Sequence, residues 1–332
     1  VHPDDEYALE HEGTTMTTPI FLNAVLQEKI WGGTKLHTLF NFTLPSDKTG
    51  EAWIISAHPN GISTIKSPAK YAGLGLDELY KAHPELFNGQ QLASFPLLIK
   101  LLDASDDLSI QVHPDDEYAL EHEGEYGKNE CWYVVQAEPG AKIVYGHTAM
   151  TPEEFAEKID NEAWSELFTE VPVKAGDFFD VPSGTIHAIG GGIVILETQQ
   201  NSDTTYRVYD YNRTDDAGNP RPLHIQQTKD VTTIPHSVPT TNQHVVTTDN
   251  GTRTTFVENK FFTVWKYDIN GDYSDALSST YHLVTVLDGK GTLTVDGIEY
   301  PIQKADSFIL PSGTPELAIN GSVQLIVSQS NQ

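Results

Sequence analysis

Three side chains in this sequence have the types and order of a divalent-metal site: His113, Glu130 and His187. Imidazole nitrogens and a carboxylate oxygen suit such a cation, and three protein donors leave a position open for water or a substrate oxygen. That is the pattern of a catalytic site, not a closed structural one. His113 ends the run Ser109-Ile110-Gln111-Val112-His113, so on an extended strand Ser109, Gln111 and His113 share one face. The Gln111 carbonyl can then add a fourth donor. Glu130 opens a strand-like stretch 17 residues after His113, and His187 follows a Pro182-Ser183-Gly184 turn 57 residues later. Taken singly, each is equally an ordinary histidine or a solvated carboxylate. The chemistry depends on strands that bring them together.

The sequence supplies such strands. Alternation or β-branched enrichment marks Trp53–His58, Ser63–Ile65, Leu108–His113, Cys131–Gln136, Lys142–Tyr145, Ile193–Thr198 and Thr205–Tyr209. After a turn-rich stretch that begins at Pro239 come Phe261–Tyr267, His282–Leu287, Gly291–Val295 and Ser307–Leu310. Asp288-Gly289 and Asp296-Gly297 read as hairpin turns. Only two stretches read as helix, Gly75–Phe87 and Thr151–Phe168. The second has Thr151 as N-cap, Pro152 at the first helical position and Glu154 to complete a capping box.

Two repeats of different kinds are present. Gly176–His187 aligns with Ala305–Glu316, sharing Asp, Phe and the Pro-Ser-Gly-Thr turn while the rest has drifted. The pattern resembles the second motif of cupin barrels, with Glu316 where the first copy has His187. The expected fold class is therefore mainly β: two cupin-like double-stranded β-barrels (jelly rolls), with a few helices on the N-terminal catalytic part. The expected domains are 16–240, metal-binding, and 241–332, without metal ligands. The other repeat is exact: residues 1–13 equal residues 112–124. Repeats that build a fold drift at exposed positions, so an exact copy points to duplicated coding sequence or a cloning scar. Residues 1–15 are set aside on that ground, with Met16 as the expected natural start, and His113 is the functional copy rather than His2.

Composition narrows the partners. The formal charge is −27, or −22 without the five acids of the first copy. So acidic a chain is a poor partner for nucleic acid or an anionic membrane. If its substrate is an anion, the scarce Lys and Arg must gather around it. The single Cys131 excludes an internal disulfide. With no apolar run long enough to span a bilayer and no export signal, the cytoplasm is the expected location, and the acceptor patterns at Asn41, Asn212 and Asn320 are read as chance.

The motifs then resemble one family. Ile30-Trp31-Gly32-Gly33, Gly50-Glu51-Ala52-Trp53, Phe95–Asp103, Gln111–Glu117, Gly127–Tyr133, Pro182–Ala188 and Leu196–Val208 together are similar to the type I mannose-6-phosphate isomerases of the bacterial kind. The resemblance covers essentially all of Met16 to Gln332. It implies one zinc ion at His113, Glu130 and His187, with Gln111 as fourth ligand in some members, and a catalytic arginine at Arg207. It implies a small sugar phosphate as substrate, interconverted between mannose 6-phosphate and fructose 6-phosphate through a cis-enediol. Glu197 is the carboxylate chosen as base, with Lys100, Lys128 and Asp203 as competitors. Ser109 and Lys100 are the candidate phosphate contacts. A monomer or weak homodimer is expected. An iron cupin dioxygenase and a non-catalytic sugar-phosphate-binding cupin are the rival readings.

Overall fold

The structure, a computed structural model, describes residues 15–332. The first copy of the exact repeat, with His2, lies outside the described residues. Two compact units interleave along the chain. One takes the residues up to Val25 together with Trp53–Leu98 and Thr241–Gln332, the other Leu26–Ala52 and Ile99–Thr240.

The second of these units carries every donor singled out above. Six strands form one sheet in the order Phe178–Val181, Glu130–Ala137, Ile193–Gln200, Leu97–Ala104, Thr49–Ile55 and Val25–Gly33. Five form another, in the order Tyr206–Tyr209, Ile110–Val112, His187–Ile189, Lys142–His147 and Phe168–Pro172. Leu102, Trp132 and Val134 of the first sheet share one apolar core with Ile143 and Ile189 of the second. The sheets therefore pack face to face, as alternating side chains on two strand layers dictate. Neither sheet closes on itself, so this cupin fold is an open double sheet and not a hydrogen-bonded barrel.

The five-stranded sheet buries its other face under helices. Ile110, Val112, Ala188 and Val208 pack with Phe155 and Ile159 of the helix Pro152–Asp160, and with Ile225 and Val231 at the ends of the helix Ile225–Val231. Thr151 does cap the first of these helices, accepting a bond from Glu154 N at 3.1 Å. Glu154 returns it one residue early, accepting from Met150 N at 3.0 Å. The helix does not run to Phe168 as expected. It stops at Asp160, Glu162 turns left-handed (φ 52°), and a single turn resumes at Trp164–Leu167. The helix expected over Gly75–Phe87 likewise shortens to Leu76–Ala82, because Pro84 cannot continue it, and a 3₁₀ turn follows over Pro84–Phe87.

The other unit is built on a nine-stranded sheet. Its long strands Phe262–Ala276, His282–Val295 and Glu316–Ser330 meet in a row of three glycines, Gly271 and Gly291 both opposite Gly321. Leu293 and Leu317 on one side of that row share a core with Val286 and Leu325 on the other. The sheet therefore folds over on itself at the glycines, where no side chain obstructs the bend. Asp296-Gly297 is a hairpin turn, with both residues at positive φ. Asp288-Gly289 is not one. It sits inside a continuous strand at a register shift, and a Cβ on Gly289 (φ 80°) would lie 2.0 Å from the Ser322 carbonyl oxygen. Gly289→Ala is accordingly expected to cost roughly 2–4 kcal/mol of stability, read as a lowered denaturation midpoint.

The drifted repeat is one local structure made twice. Lys174 N donates to Asp177 Oδ2 at 2.9 Å, and Gln303 N to Asp306 Oδ2 at 2.8 Å. Gly184 and Gly313 take the same left-handed φ, 85° and 86°. After the turn the copies diverge. His187 is buried, whereas Glu316 is exposed and accepts a bond from Ser274 Oγ at 2.8 Å. Among the described residues no helix is long and apolar enough to cross a membrane.

Candidate functional site

The register of the five-stranded sheet sets one row of side chains. Arg207 lies opposite Gln111, Gln111 opposite His187, and His187 opposite Tyr145. Directly opposed residues point to the same face, here the one turned away from the helices and toward the six-stranded sheet. His113 follows the strand Ile110–Val112 by one residue, where Gly184 N donates to its carbonyl at 2.9 Å. The remaining donor comes from the facing sheet. Glu130 is the first residue of its strand and reaches across the sandwich, so it is not a sheet neighbour of either histidine.

The three donors converge. Their ligand atoms all lie within 4.8 Å of one another, and all three residues are buried. His187 Nε2 is 3.2 Å from Glu130 Oε1, and His113 Nε2 is 3.4 Å from Glu130 Oε2. Each imidazole turns its other nitrogen to a backbone carbonyl: His113 Nδ1 to Thr204 O at 3.0 Å, His187 Nδ1 to Thr185 O at 2.8 Å. A carbonyl only accepts, so Nδ1 carries the hydrogen and Nε2 presents its lone pair to the centre. That outer arrangement is typical of metal-ligating histidines. The donor set therefore fits a divalent cation. The Lys128 ammonium already lies against it, 2.9 Å from Glu130 Oε2 and 3.2 Å from His113 Nε2, so a positive charge sits where the donors meet.

Local structure explains the placement. After His113 and Pro114, Asp115 caps the helix Asp116–Glu123 by accepting from Tyr118 N at 2.9 Å, and Gly124 ends it with φ 71°. This helix, missed in the sequence, turns the chain back to Glu130. Glu125 Oε1 then accepts from Ser202 Oγ, Asp203 N and Thr204 Oγ1 at 3.0, 2.9 and 2.7 Å, fixing the loop whose carbonyl holds His113. Beside Glu130, the Asn129 amide donates to Gln200 Oε1 at 2.8 Å and accepts from Ser183 N at 2.9 Å.

A cavity of about 400 Å³ adjoins the donors, within the size range of small-ligand sites. Five of the chain's 20 Lys and Arg residues line it: Lys29, Lys100, Lys128, Arg207 and Arg221. That is the gathering of scarce cations an anionic substrate requires. The lysines are balanced by carboxylates. Along neighbouring strands of the six-stranded sheet Lys29 lies 3.8 Å from Glu51, Glu51 3.7 Å from Lys100, and Lys100 4.0 Å from Glu197. Trp132, opposite Glu197, donates its indole N–H to both Glu197 Oε1 (3.0 Å) and Glu130 Oε1 (3.2 Å).

These contacts split the acids into two kinds. Burial pushes Glu197 up, the Glu130 charge adds to the rise, and Lys128 and Lys100 oppose it; the outcome is about 8. Burial would raise Glu130 too, but the Lys128 charge and the contacts from the two imidazoles hold it well below the usual range. Glu130 is thus a fixed anion, and Glu197 a carboxyl poised near neutral pH. His113 is pushed down to about 3 by burial and by Lys128, so its lone pair is free. Burial works against the Lys128 ammonium, but the Glu130 and Glu197 charges outweigh it and raise Lys128 above its usual range.

The other expected residues fall in or beside the same cavity. Ser109 is buried in its wall and its Oγ accepts from Gln111 Nε2 at 3.2 Å, leaving the hydroxyl hydrogen to donate. The same Gln111 amide donates to Ser109 O at 3.0 Å, which leaves Gln111 Oε1 as an acceptor. Asp203 lines the cavity from the loop held by Glu125. Arg207 makes no ion pair with a carboxylate among the described residues; Nη1 reaches only Pro222 O, at 3.5 Å. Its backbone is clasped by His224, whose Nδ1 accepts from Arg207 N at 3.1 Å. Sequence reasoning gave no role to Glu51, Trp132, Arg221 or His224. Glu51 and Trp132 lay inside quoted motifs, but nothing singled out Arg221 or His224.

Comparison with known proteins places this geometry. A family model for the phosphomannose isomerase type I catalytic domain matches residues 20–137, and one for the mannose-6-phosphate isomerase cupin domain matches 252–330. The mannose-6-phosphate isomerase of Streptococcus mutans serotype c is 51% identical over 96% of this chain and 100% of its own length. Mannose-6-phosphate isomerase ManA of Bacillus subtilis is 45% identical over 94% and 99%. The crystal structure of the mannose 6-phosphate isomerase from Bacillus subtilis superposes with a TM-score of 0.91 at 45% identity, covering 94% of this chain and 99% of that one.

Proposed function

The chain belongs to the type I mannose-6-phosphate isomerase family, and on that premise we propose that it interconverts mannose 6-phosphate and fructose 6-phosphate at the His113–Glu130–His187 centre. The observation that carries the reading is the convergence of three buried donors, with both imidazoles fixed by backbone carbonyls, on a cavity that also holds Arg207. The cation proposed is zinc, held by His113, Glu130 and His187, with Gln111 Oε1 available as a fourth donor. When bound, it supplies Lewis-acid polarisation of the sugar's carbonyl and hydroxyl oxygens.

This chain's own residues do the rest. Isomerisation moves a proton between C2 and C1 of the open-chain sugar by way of a cis-enediol. Glu197, raised toward neutral pH, takes that proton from one carbon and returns it to the other. Lys100 and Trp132 hold its two oxygens in place. Arg207 keeps its proton at any working pH and offers paired donors to the two oxygens on which charge develops. Lys128 stays an ammonium and acts as a hydrogen-bond donor and fixed charge. Ser109 and Lys100 contact substrate oxygens. A monomer or weak homodimer is proposed, and one buried thiol, Cys131, suits a reducing cytoplasm. The segment 241–332 is proposed to carry no metal, since Glu316 stands in the place of His187 and is exposed.

The test is incubation with fructose 6-phosphate in deuterated water, with and without a chelator. Metal-dependent appearance of mannose 6-phosphate, with deuterium at C2 to the extent that Glu197 exchanges, is the expected result. A fully metallated protein that yields no product would overturn the proposal. Oxygen uptake with bound iron would favour the dioxygenase, although the charged lining of the cavity argues against the apolar pocket which that chemistry needs.

A further inference from the structure

We propose that Arg221 binds the substrate's phosphate group, and that Asp210, which never touches substrate, is the positioning residue that aims it. The inference rests on the sugar-phosphate reading above and says which of the five cavity cations meets the anion. Charge bookkeeping around each cation separates them. Lys128 is paired with Glu130 at 2.9 Å, Lys29 with Glu51 at 3.8 Å, and Lys100 lies between Glu51 and Glu197 at 3.7 and 4.0 Å. A phosphate dianion brought to any of these lysines meets carboxylates as well. On the arginine side the balance is reversed. Among the described residues Arg207 has no carboxylate within ion-pair distance, although the charges of Asp210 and Asp203 reach it, and Arg221 shares its one ion-pair partner with a third arginine, Arg213.

That shared carboxylate is a built mount. Asp210 is 5% exposed. Its Oδ2 accepts from Arg221 Nε at 2.9 Å and its Oδ1 from Arg221 Nη2 at 2.7 Å, a two-point clamp that fixes the guanidinium plane. Oδ1 also accepts from Arg213 Nη2 at 2.7 Å, while Arg213 Nη1 donates to the Asp107 carbonyl and anchors the pair to the loop before the strand Ile110–Val112. Burial opposes an ionised Asp210, but the bonds from Arg221 and Arg213 hold it below the usual carboxylate range. Asp210 thus supports two cations, with the exposed Asp106 carboxylate 3.7 Å from Arg213 as the other counter-charge. Arg221 Nη1 has no partner among the described residues, and Arg221 lines the cavity.

Arg207 and Arg221 also face the same cavity closely enough for the second charge to disfavour the first, after burial has already done so. Two like charges on one wall are costly unless an anion joins them. Their positions divide the work. Arg207 stands in the row with Gln111 and His187, beside the metal donors and hence beside C1 and C2. Arg221 enters from the loop before the helix Ile225–Val231, off that row, as a group six carbons along the sugar requires.

The test uses zinc-loaded protein and equilibrium dialysis of labelled fructose 6-phosphate, with displacement by inorganic phosphate. Arg221→Leu is expected to weaken fructose 6-phosphate binding by about 10–100-fold, the worth of charge-assisted bonds, and to weaken displacement by phosphate in parallel. Its zinc content and melting temperature should match those of the parent. Asp210→Asn should shift binding in the same direction, and Asp210→Glu should recover part of the loss, which a merely structural role would not produce. Should Arg221→Leu hold fructose 6-phosphate as tightly as the parent, the assignment is wrong, whatever becomes of the Asp210 variants. Because dialysis reads binding and not turnover, Arg221-dependent binding in a protein that forms no mannose 6-phosphate would sink the isomerase reading while sustaining this one. Turnover with Arg221-independent binding would do the opposite.

Discussion

His187→Ala is expected to cost the protein its metal and its turnover together. His187 brings one of only three charged or imidazole donors to the centre, and its Nε2 lies 3.2 Å from Glu130. Nothing nearby can replace it, because the position is buried, opens a strand and is surrounded by Gln111 and Tyr145 in its own row. Changes one shell further out typically cost 10–100-fold in metal affinity or activity. Loss of a direct donor should exceed that, so kcat/KM is expected to fall by more than about 100-fold. Glu130→Gln should act likewise while keeping the side chain's shape, since it removes the only carboxylate of the set. Metal content after dialysis, measured beside turnover, is the check. Parent-like metal stoichiometry in both variants would show that the three donors do not form the site.

Arg207→Ala is expected to separate the two properties that His187→Ala loses together. Arg207 donates to no metal ligand, and its guanidinium faces the cavity with a single long bond to Pro222 O. Its backbone is held by His224 and by pairing with Gln111, so truncating the side chain should leave the strand in place. If the guanidinium stabilises charge that develops only as the proton leaves carbon, kcat should drop by roughly 10²–10³-fold, the usual cost of one such donor. Metal content should stay at the parent level. Arg207→Lys should restore little, because a point charge cannot offer the planar pair of donors. Loss of metal in place of kcat would move Arg207 from catalysis to the support of the site.

The local signals in the sequence were reliable where chemistry and backbone share a short segment. Alternation placed Ser109, Gln111 and His113 on one face, and two of these lie in or against the same row of the five-stranded sheet. The turn Pro182-Ser183-Gly184 delivers His187 to that row because Gly184 can take a positive φ. The drifted repeat folds twice into the same turn because its Asp side chains bind the same backbone N–H groups. Local signals failed where a neighbour decided. Asp288-Gly289 has the residues of a hairpin turn, but pairing with Gln324 and Val323 of the long strand Glu316–Ser330 keeps it in one continuous strand with a shift of register. The helix at Asp116–Glu123 escaped notice because it carries no apolar stripe; it buries only Ala119 and exists through its Asp115 cap and Gly124 stop.

The sequence by itself determined the fold class, the family, the candidate metal donors and the excess of acid that makes every cation informative. These are properties of residue type and short-range spacing, which the chain carries before it folds. Tertiary structure decided what those residues can do. Glu130 and Glu197 are the same side chain on adjacent strands. One is held as an anion by Lys128 and the imidazoles, and the other is lifted to about 8 by burial and by its neighbour's charge. Likewise Lys100 and Arg221 are both cavity cations, and only their partners distinguish them: two carboxylates around the lysine, and one shared with Arg213 behind the arginine. Protonation and residual charge depend on distances between segments far apart in sequence, and no local pattern encodes those distances.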